Sequence, residues 1–209
     1  EIIKTLPGAK GAMAIRPTDD WGLFWLTAPM DNKLLLMNPR TGSVENSIDV
    51  PGEPHGLVIS PDRKTVYVGQ RGLNQIAKID TESRKIIQTA PLGKRPDMMA
   101  ISPDGKHLYA VGLHDDGIAV FNRDVSTGLL TYREIHKEDG LDGSVNVIVS
   151  PDGNNVYGTG LYDDAVAVFT RNVTTGVLTY VSMHKDGVSG VDGLDGARSA
   201  RLRAAGRSV

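Results

Sequence analysis

Gly112–Tyr132 reads GLHDDGIAVFNRDVSTGLLTY, and Gly160–Tyr180 reads GLYDDAVAVFTRNVTTGVLTY. The second line begins 48 residues after the first. A chain that repeats itself at this interval is made of supersecondary units, each of which buries its faces by stacking on copies of itself. Working outward, the triplet Ser-Pro-Asp recurs at Ser60-Pro61-Asp62, Ser102-Pro103-Asp104 and Ser150-Pro151-Asp152, with a weaker form at Arg16-Pro17-Thr18-Asp19. The prolines are spaced 44, 42 and 48 residues apart.

Every unit follows one plan. A short apolar run (GAMAI, GLVIS, MMAIS, VNVIVS) precedes the proline turn, and a strand with a central aromatic follows it: Trp25, Tyr67, Tyr109 or Tyr157. A polar turn leads to a third apolar strand, and a Thr-Gly or Glu-Ser turn leads to a polar fourth strand. Four short strands rich in β-branched and aromatic residues, split by Gly, Pro, Asp and Asn, form a β-meander. Helical 3.6-residue periodicity is missing. The fold expected is all-β: a β-propeller of about four four-stranded antiparallel blades. The blades fall at about 7–50, 51–93, 94–143 and 144–196, with residues 1–6 as an extra outer strand.

TVYVG and HLYAVG beside the Ser-Pro-Asp turns resemble the YVTN-type propeller repeat. The two lines quoted at the outset are similar to the lactonase-like seven-bladed propeller family, and the resemblance runs over roughly residues 7 to 195. It implies a propeller fold and, for activity, opening of a lactone ring by water. In that reading His55 is the base, and Arg71 and Arg95 hold the developing anion.

Only four blades are counted. The start, EIIKTLPGAKGAMAI, aligns with RKIIQTAPLGKRPDMMAI, so it reads as the outer strand of one blade followed by the inner strand of the next. After VDGLDGARS the pattern stops, and residues 197–209 carry Arg198, Arg201, Arg203 and Arg207 with no acid. Three readings stay open: a truncated or frame-shifted product without its own activity, a four-bladed ring, and a partial ring completed by oligomerisation. An open blade edge predicts self-association.

Bulk properties narrow the function. Hydrophobic residues make up 40%, the net charge is −2 and the pI about 6.2, so nucleic acid is disfavoured as a partner. No apolar run reaches the roughly 18 residues of a membrane span. Cysteine is absent, which removes disulfides, thiolate metal sites and cysteine nucleophiles. Neither a cofactor motif nor a metal-ligand set is found.

In a meander blade the fourth-to-first and second-to-third turns emerge at one end, where loops on a rigid scaffold carry function. His55 and Asp97 hold equivalent slots there, six residues before Pro61 and Pro103. They are the candidate base and its orienting partner. Arg71, Arg95, His114, Asp116, Tyr162 and Asp164 are the candidate ligand-binding residues on the same face. The pairs Asp115-Asp116 and Asp163-Asp164 recur in neighbouring blades, which favours turn-forming carboxylates over acid–base chemistry. The reading favoured here is a non-catalytic binding or scaffold propeller, exported to the periplasm or cell exterior, with a small molecule or protein as ligand. The lactonase-like hydrolase is the alternative.

Overall fold

The computed structural model describes residues 9, 11–18 and 22–201. The expected extra strand at 1–6, and Arg203 and Arg207 of the tail, lie outside the described residues. Among the described residues, sixteen strands form four separate four-stranded antiparallel sheets, each in chain order. Blade 1 holds β1 (Ile15–Pro17), β2 (Phe24–Ala28), β3 (Lys33–Met37) and β4 (Val44–Asp49). Blade 2 holds β5 (Pro54–Ile59), β6 (Thr65–Gln70), β7 (Gln75–Asp80) and β8 (Ile86–Pro91). Blade 3 holds β9 (Pro96–Ile101), β10 (His107–Gly112), β11 (Gly117–Arg123) and β12 (Leu130–His136). Blade 4 holds β13 (Ser144–Val149), β14 (Asn155–Gly160), β15 (Ala165–Arg171) and β16 (Leu178–Lys185). The architecture is that of stacked propeller blades, as the repeat requires.

Burial rises toward the middle of each blade. Strands β6 and β10 are buried along their whole length, whereas β4 is mostly exposed and β12 is part exposed and part half-buried. Sheets hydrophobic on both faces must be covered on both, and successive blades do this for one another. One apolar cluster joins Trp25, Leu34 and Leu36 of blade 1 to Leu57, Val66 and Ile79 of blade 2. A second joins Tyr67 and Ile76 to Leu108 and Phe121, and a third joins Tyr109 and Ile118 to Val156 and Phe169.

The proline turns are built alike. In each, the serine hydroxyl donates to the Asp carboxylate two residues on and accepts the N–H at the start of the next strand: Thr65, His107 or Asn155. This closes the hairpin between first and second strands and explains why the triplet is the most regular signal in the sequence.

Two polar devices set the spacing between blades. At the first, a residue on the second-to-third turn takes a left-handed conformation and accepts an N–H from the loop that enters the next blade. Asn32 accepts from Glu53, Asn74 from Arg95, Asp116 from Gly143 and Asp164 from Gly196, at 2.7 to 3.0 Å. Asn and Asp tolerate this conformation better than other side-chain-bearing residues. At the opposite end lies the second device. The Arg123 guanidinium donates to the Tyr67 hydroxyl (2.8 Å), to the Gly105 carbonyl (3.0 Å) and to the Asp62 carboxylate (3.2 Å), while the Tyr67 hydroxyl donates to the Gly128 carbonyl. Arg171 repeats the pattern one blade on, donating to Tyr109 (2.7 Å), Gly153 (2.9 Å) and Asp104 (3.1 Å), while the Tyr109 hydroxyl donates to the Gly176 carbonyl at 2.8 Å. Gly176 is left-handed, with φ +76°, and a Cβ there would sit 2.1 Å from the His107 ring, so only glycine closes this turn.

Candidate functional site at the channel and its mouth

The first strands of the four blades stand side by side, β1 against β5, β5 against β9 and β9 against β13. Their register is uniform. The residue opposite the central aromatic is Arg16 in β1 (opposite Trp25), Val58 in β5 (Tyr67), Ala100 in β9 (Tyr109) and Ile148 in β13 (Tyr157). All four line one concave cavity of about 800 Å³. Blade 1 therefore presents a guanidinium where the others present an apolar side chain. Residues 198–201 complete the wall, and the Asn146 amide donates to the Ala200 carbonyl at 3.4 Å.

Among the described residues the cavity wall thus carries Arg16, Arg198 and Arg201 and not one carboxylate. Partial burial, and then the like charge of Arg201, hold the Arg16 pKa below its usual value. Guanidinium groups stay cationic in proteins, so this corner of the cavity concentrates positive charge.

At the channel mouth the structure joins three of the residues singled out in the sequence. His55 Nε2 lies 3.2 Å from Asp97 Oδ1, and the Arg71 guanidinium donates to Asp97 Oδ2. The His55 and Asp97 side chains are 5% and 6% exposed, and Arg71 17%. The approach is made possible by Gly56: a Cβ there would meet the Asp97 carbonyl at 2.0 Å, so a larger residue would push β5 off β9. On the other side the Thr27 hydroxyl donates to the His55 carbonyl at 2.6 Å and accepts the Ala14 N–H at 3.0 Å. His55 is thereby tied to blades 1 and 3 together. Arg71 Nε is buried with no partner.

The remaining candidates are spread along the same end. Arg95 is exposed, with its backbone N–H in the Asn74 clip. His114 is exposed, and its N–H reaches the Lys94 carbonyl at 3.3 Å. Tyr162 is 60% exposed and its ring lies over Gly143. Asp116 and Asp164 each give one carboxylate oxygen to a clip. Their neighbour Asp163 accepts the N–H groups of Gly140 and Asp142, both at 3.0 Å. Asp142 is shifted upward by burial and then by the charges of Asp116 and Asp163. No cluster of three or more metal-ligating side chains occurs among the described residues. The sequence reading passed over Arg16, whose signal is a cation in the strand position that is apolar in the other three blades.

These features define a β-propeller repeat protein with a cationic channel. Comparison with known proteins points the same way: the family model described as Lactonase, 7-bladed beta-propeller matches residues 45–139, and the chain resembles that family in its propeller repeat, with four blades among the described residues. A 6-phosphogluconolactonase of Formosa agariphila is 34% identical over 79 residues, 34% of this chain and 22% of that protein. The periplasmic gluconolactonase PpgL of Pseudomonas aeruginosa superposes with a TM-score of 0.75 at 17% identity, over 83% of this chain and 54% of that one. Virginiamycin B lyase of Staphylococcus aureus superposes with a TM-score of 0.63 at 19% identity, over 81% and 55%. The chain spans about a quarter of the length of the curated relatives it matches and about half of these solved structures. A hydrolase and a lyase on one scaffold show that the fold alone does not choose the chemistry.

Proposed function

We propose that this protein is a binding propeller that takes a small organic anion into its channel. The observation that carries the reading is the channel wall, which holds Arg16, Arg198 and Arg201 with no carboxylate among the described residues that line it. Guanidinium forks pair with carboxylate or phosphate in bidentate fashion, and Val58, Ala100 and Ile148 supply apolar wall beside them. Sugar-acid anions are the ligand class favoured by the similarity to gluconolactonases. The buried His55–Asp97–Arg71 group holds the mouth in shape: its carboxylate is shared between the His55 imidazole and the Arg71 guanidinium, and the imidazole is screened from solvent. No helix among the described residues is long and apolar enough to cross a membrane. Export to the periplasm is part of the proposal, supported by the likeness to a periplasmic gluconolactonase.

Calorimetric titration with gluconate and with inorganic phosphate tests it. Saturable binding is expected, weakened about tenfold or more by Arg16→Ala, since a charge-assisted pair contributes about 1.5–3 kcal/mol. Equal heats for wild type and variant would remove the channel from the account. A second reading, lactone hydrolysis, rests on His55 being oriented by Asp97 as a base is oriented in acyl-transfer sites. It requires gluconolactone opening above the spontaneous rate, and that excess must disappear in His55→Ala.

A further inference from the structure

The joint between blades 3 and 4 holds a titratable ring where the joint between blades 2 and 3 holds a hydroxyl. His107 opens β10 at the place that Thr65 holds in β6 and Asn155 in β14. It is 4% exposed. The proline turn fixes its backbone: its N–H donates to the Ser102 hydroxyl at 3.0 Å, and its carbonyl accepts the Ser102 N–H at 2.9 Å. Its ring packs against the Gly176 turn of blade 4, and its Nδ1 lies 2.8 Å from Arg171 Nη2.

That contact decides the state of the ring. A guanidinium carries donors only, so Nδ1 is the acceptor and holds no proton. The imidazole is therefore neutral, with its one proton on Nε2. Arg171 is committed elsewhere as well: Nε to the Tyr109 hydroxyl, Nη1 to the Gly153 carbonyl, and Nη2 also to the Asp104 carboxylate. A proton added at Nδ1 sets donor against donor and cation against cation. Arg171 cannot turn aside without leaving its other three partners. At the earlier joint Arg123 makes the matching three bonds, but there Gly128 packs against the Thr65 hydroxyl, which does not titrate in the same range.

The charged groups around the ring come from several elements. Arg171 faces it from β15, Arg133 from β12, and Asp104 and Lys106 from its own turn; Arg123, at the end of β11, holds the Gly105 carbonyl of that turn. Cations outnumber the single carboxylate, so the surroundings do not favour an imidazolium. Burial first, and then the charge of Arg171, keep the His107 pKa below its ordinary value against the pull of Asp104.

We propose that His107 makes the joint between blades 3 and 4 an acid-sensitive hinge: its protonation displaces Arg171, frees the turn at Asn172–Gly176 and loosens blade 4 against blade 3, while the joint between blades 2 and 3 stays closed. An opened joint returns the imidazole to its ordinary pKa of about 6.5. The contribution of the neutral ring is thus complete above about pH 6.5 and is lost as pH falls below it toward the lower folded value. This window lies apart from those of Asp104, held at about 2, and Tyr109, raised to about 12.

Hydrogen exchange on the full chain at about pH 7 and pH 5 tests the hinge, read as protection factors, which divide out the pH dependence of exchange itself. The Gly176 N–H, bonded to the Asn172 carbonyl at 2.8 Å, reports on the hinge, and the Gly128 N–H, bonded to the Asp124 carbonyl at 2.7 Å, reports on the earlier joint. Protection at Gly176 should fall about tenfold between the two conditions, and protection at Gly128 by less than about twofold. His107→Asn takes the residue of blade 4, keeps an acceptor oxygen for Arg171 and cannot titrate. In that variant the fall at Gly176 should vanish. Equal falls at both glycines, or an undiminished fall in His107→Asn, overturns the proposal. Should the variant not fold, the imidazole ¹⁵N shifts of the native chain carry the test. An unprotonated Nδ1 at pH 7 and a titration midpoint below about 6.5 are expected; a protonated Nδ1 at pH 7 overturns it.

Discussion

The joint between blades 1 and 2 and the joint between blades 3 and 4 solve one problem by different chemistry. At the first, Trp25 packs among Leu34, Leu36, Leu57, Val66 and Ile79, and the main polar link is the Thr27 hydroxyl on the His55 carbonyl. At the second, Tyr109 replaces the indole, and its hydroxyl is clamped between the Gly176 carbonyl and the Arg171 guanidinium. An indole can donate a hydrogen bond but cannot accept one from arginine. The arginine therefore appears only opposite tyrosine. The apolar joint tolerates loss of single contacts, whereas the polar joint depends on all members being present, because a buried donor or acceptor left alone costs more than a formed bond contributes.

Four substitutions or conditions sharpen this contrast, taken from the largest effect downward. Arg171→Ala strands Tyr109, Gly153 and Asp104 together and should cost about 3 kcal/mol in urea unfolding. A loss below about 1 kcal/mol would show the lock to be decoration on an apolar joint.

Alkaline pH should act next. Burial raises the Tyr109 hydroxyl to about 12, against the opposing pull of Arg171. A phenol whose folded pKa lies above its unfolded value of about 10 contributes stability fully below pH 10. That contribution is lost as pH rises from about 10 to about 12, so the urea midpoint should fall over this window. Tyr109→Phe should flatten the fall, and an unchanged slope in that variant would break the assignment. The acid side has its own marker. Burial opposes ionisation of Asp104, but the Ser102 hydroxyl, the Lys106 N–H and Arg171 outweigh it and bring its pKa down to about 2. Its share of stability is present above its unfolded pKa and is lost as pH falls toward 2.

The smallest effect belongs to Lys33–Asp49, a 2.8 Å ion pair in blade 1 with side chains 38% and 88% exposed. Lys33→Ala should change stability by no more than about 0.5 kcal/mol. A larger effect would mean that exposure does not separate the two kinds of ion pair in this molecule.

The fold was legible because the repeat constrains backbone and turn together: Ser-Pro-Asp closes a hairpin in three blades by the same two hydrogen bonds, and the aromatic after it meets the next blade at Tyr67 and Tyr109. Pairing of His55 with Asp97 was suggested by their equal distance from the proline turn, since equal slots on adjacent inner strands are neighbours in space. Three things were not legible. Arg123 and Arg171 stand inside the two quoted lines, yet spacing does not reveal that they reach back across a joint to a tyrosine 56 and 62 residues earlier. The clip formed by Asp116 and Asp164 depends on a left-handed backbone that residue type only permits. Arg16 faces the channel because of strand register, which a three-residue strand at an irregular turn does not announce.

The central claim is that blades are held in register by a coupled Arg–Tyr–carbonyl unit and not by independent contacts. A double-mutant cycle on Tyr109→Phe and Arg171→Ala, followed by urea unfolding, measures that coupling directly. The account predicts an interaction energy of about 1 kcal/mol or more, the double variant being scarcely less stable than Arg171→Ala alone. Additive losses would contradict it and return the joint to ordinary apolar packing.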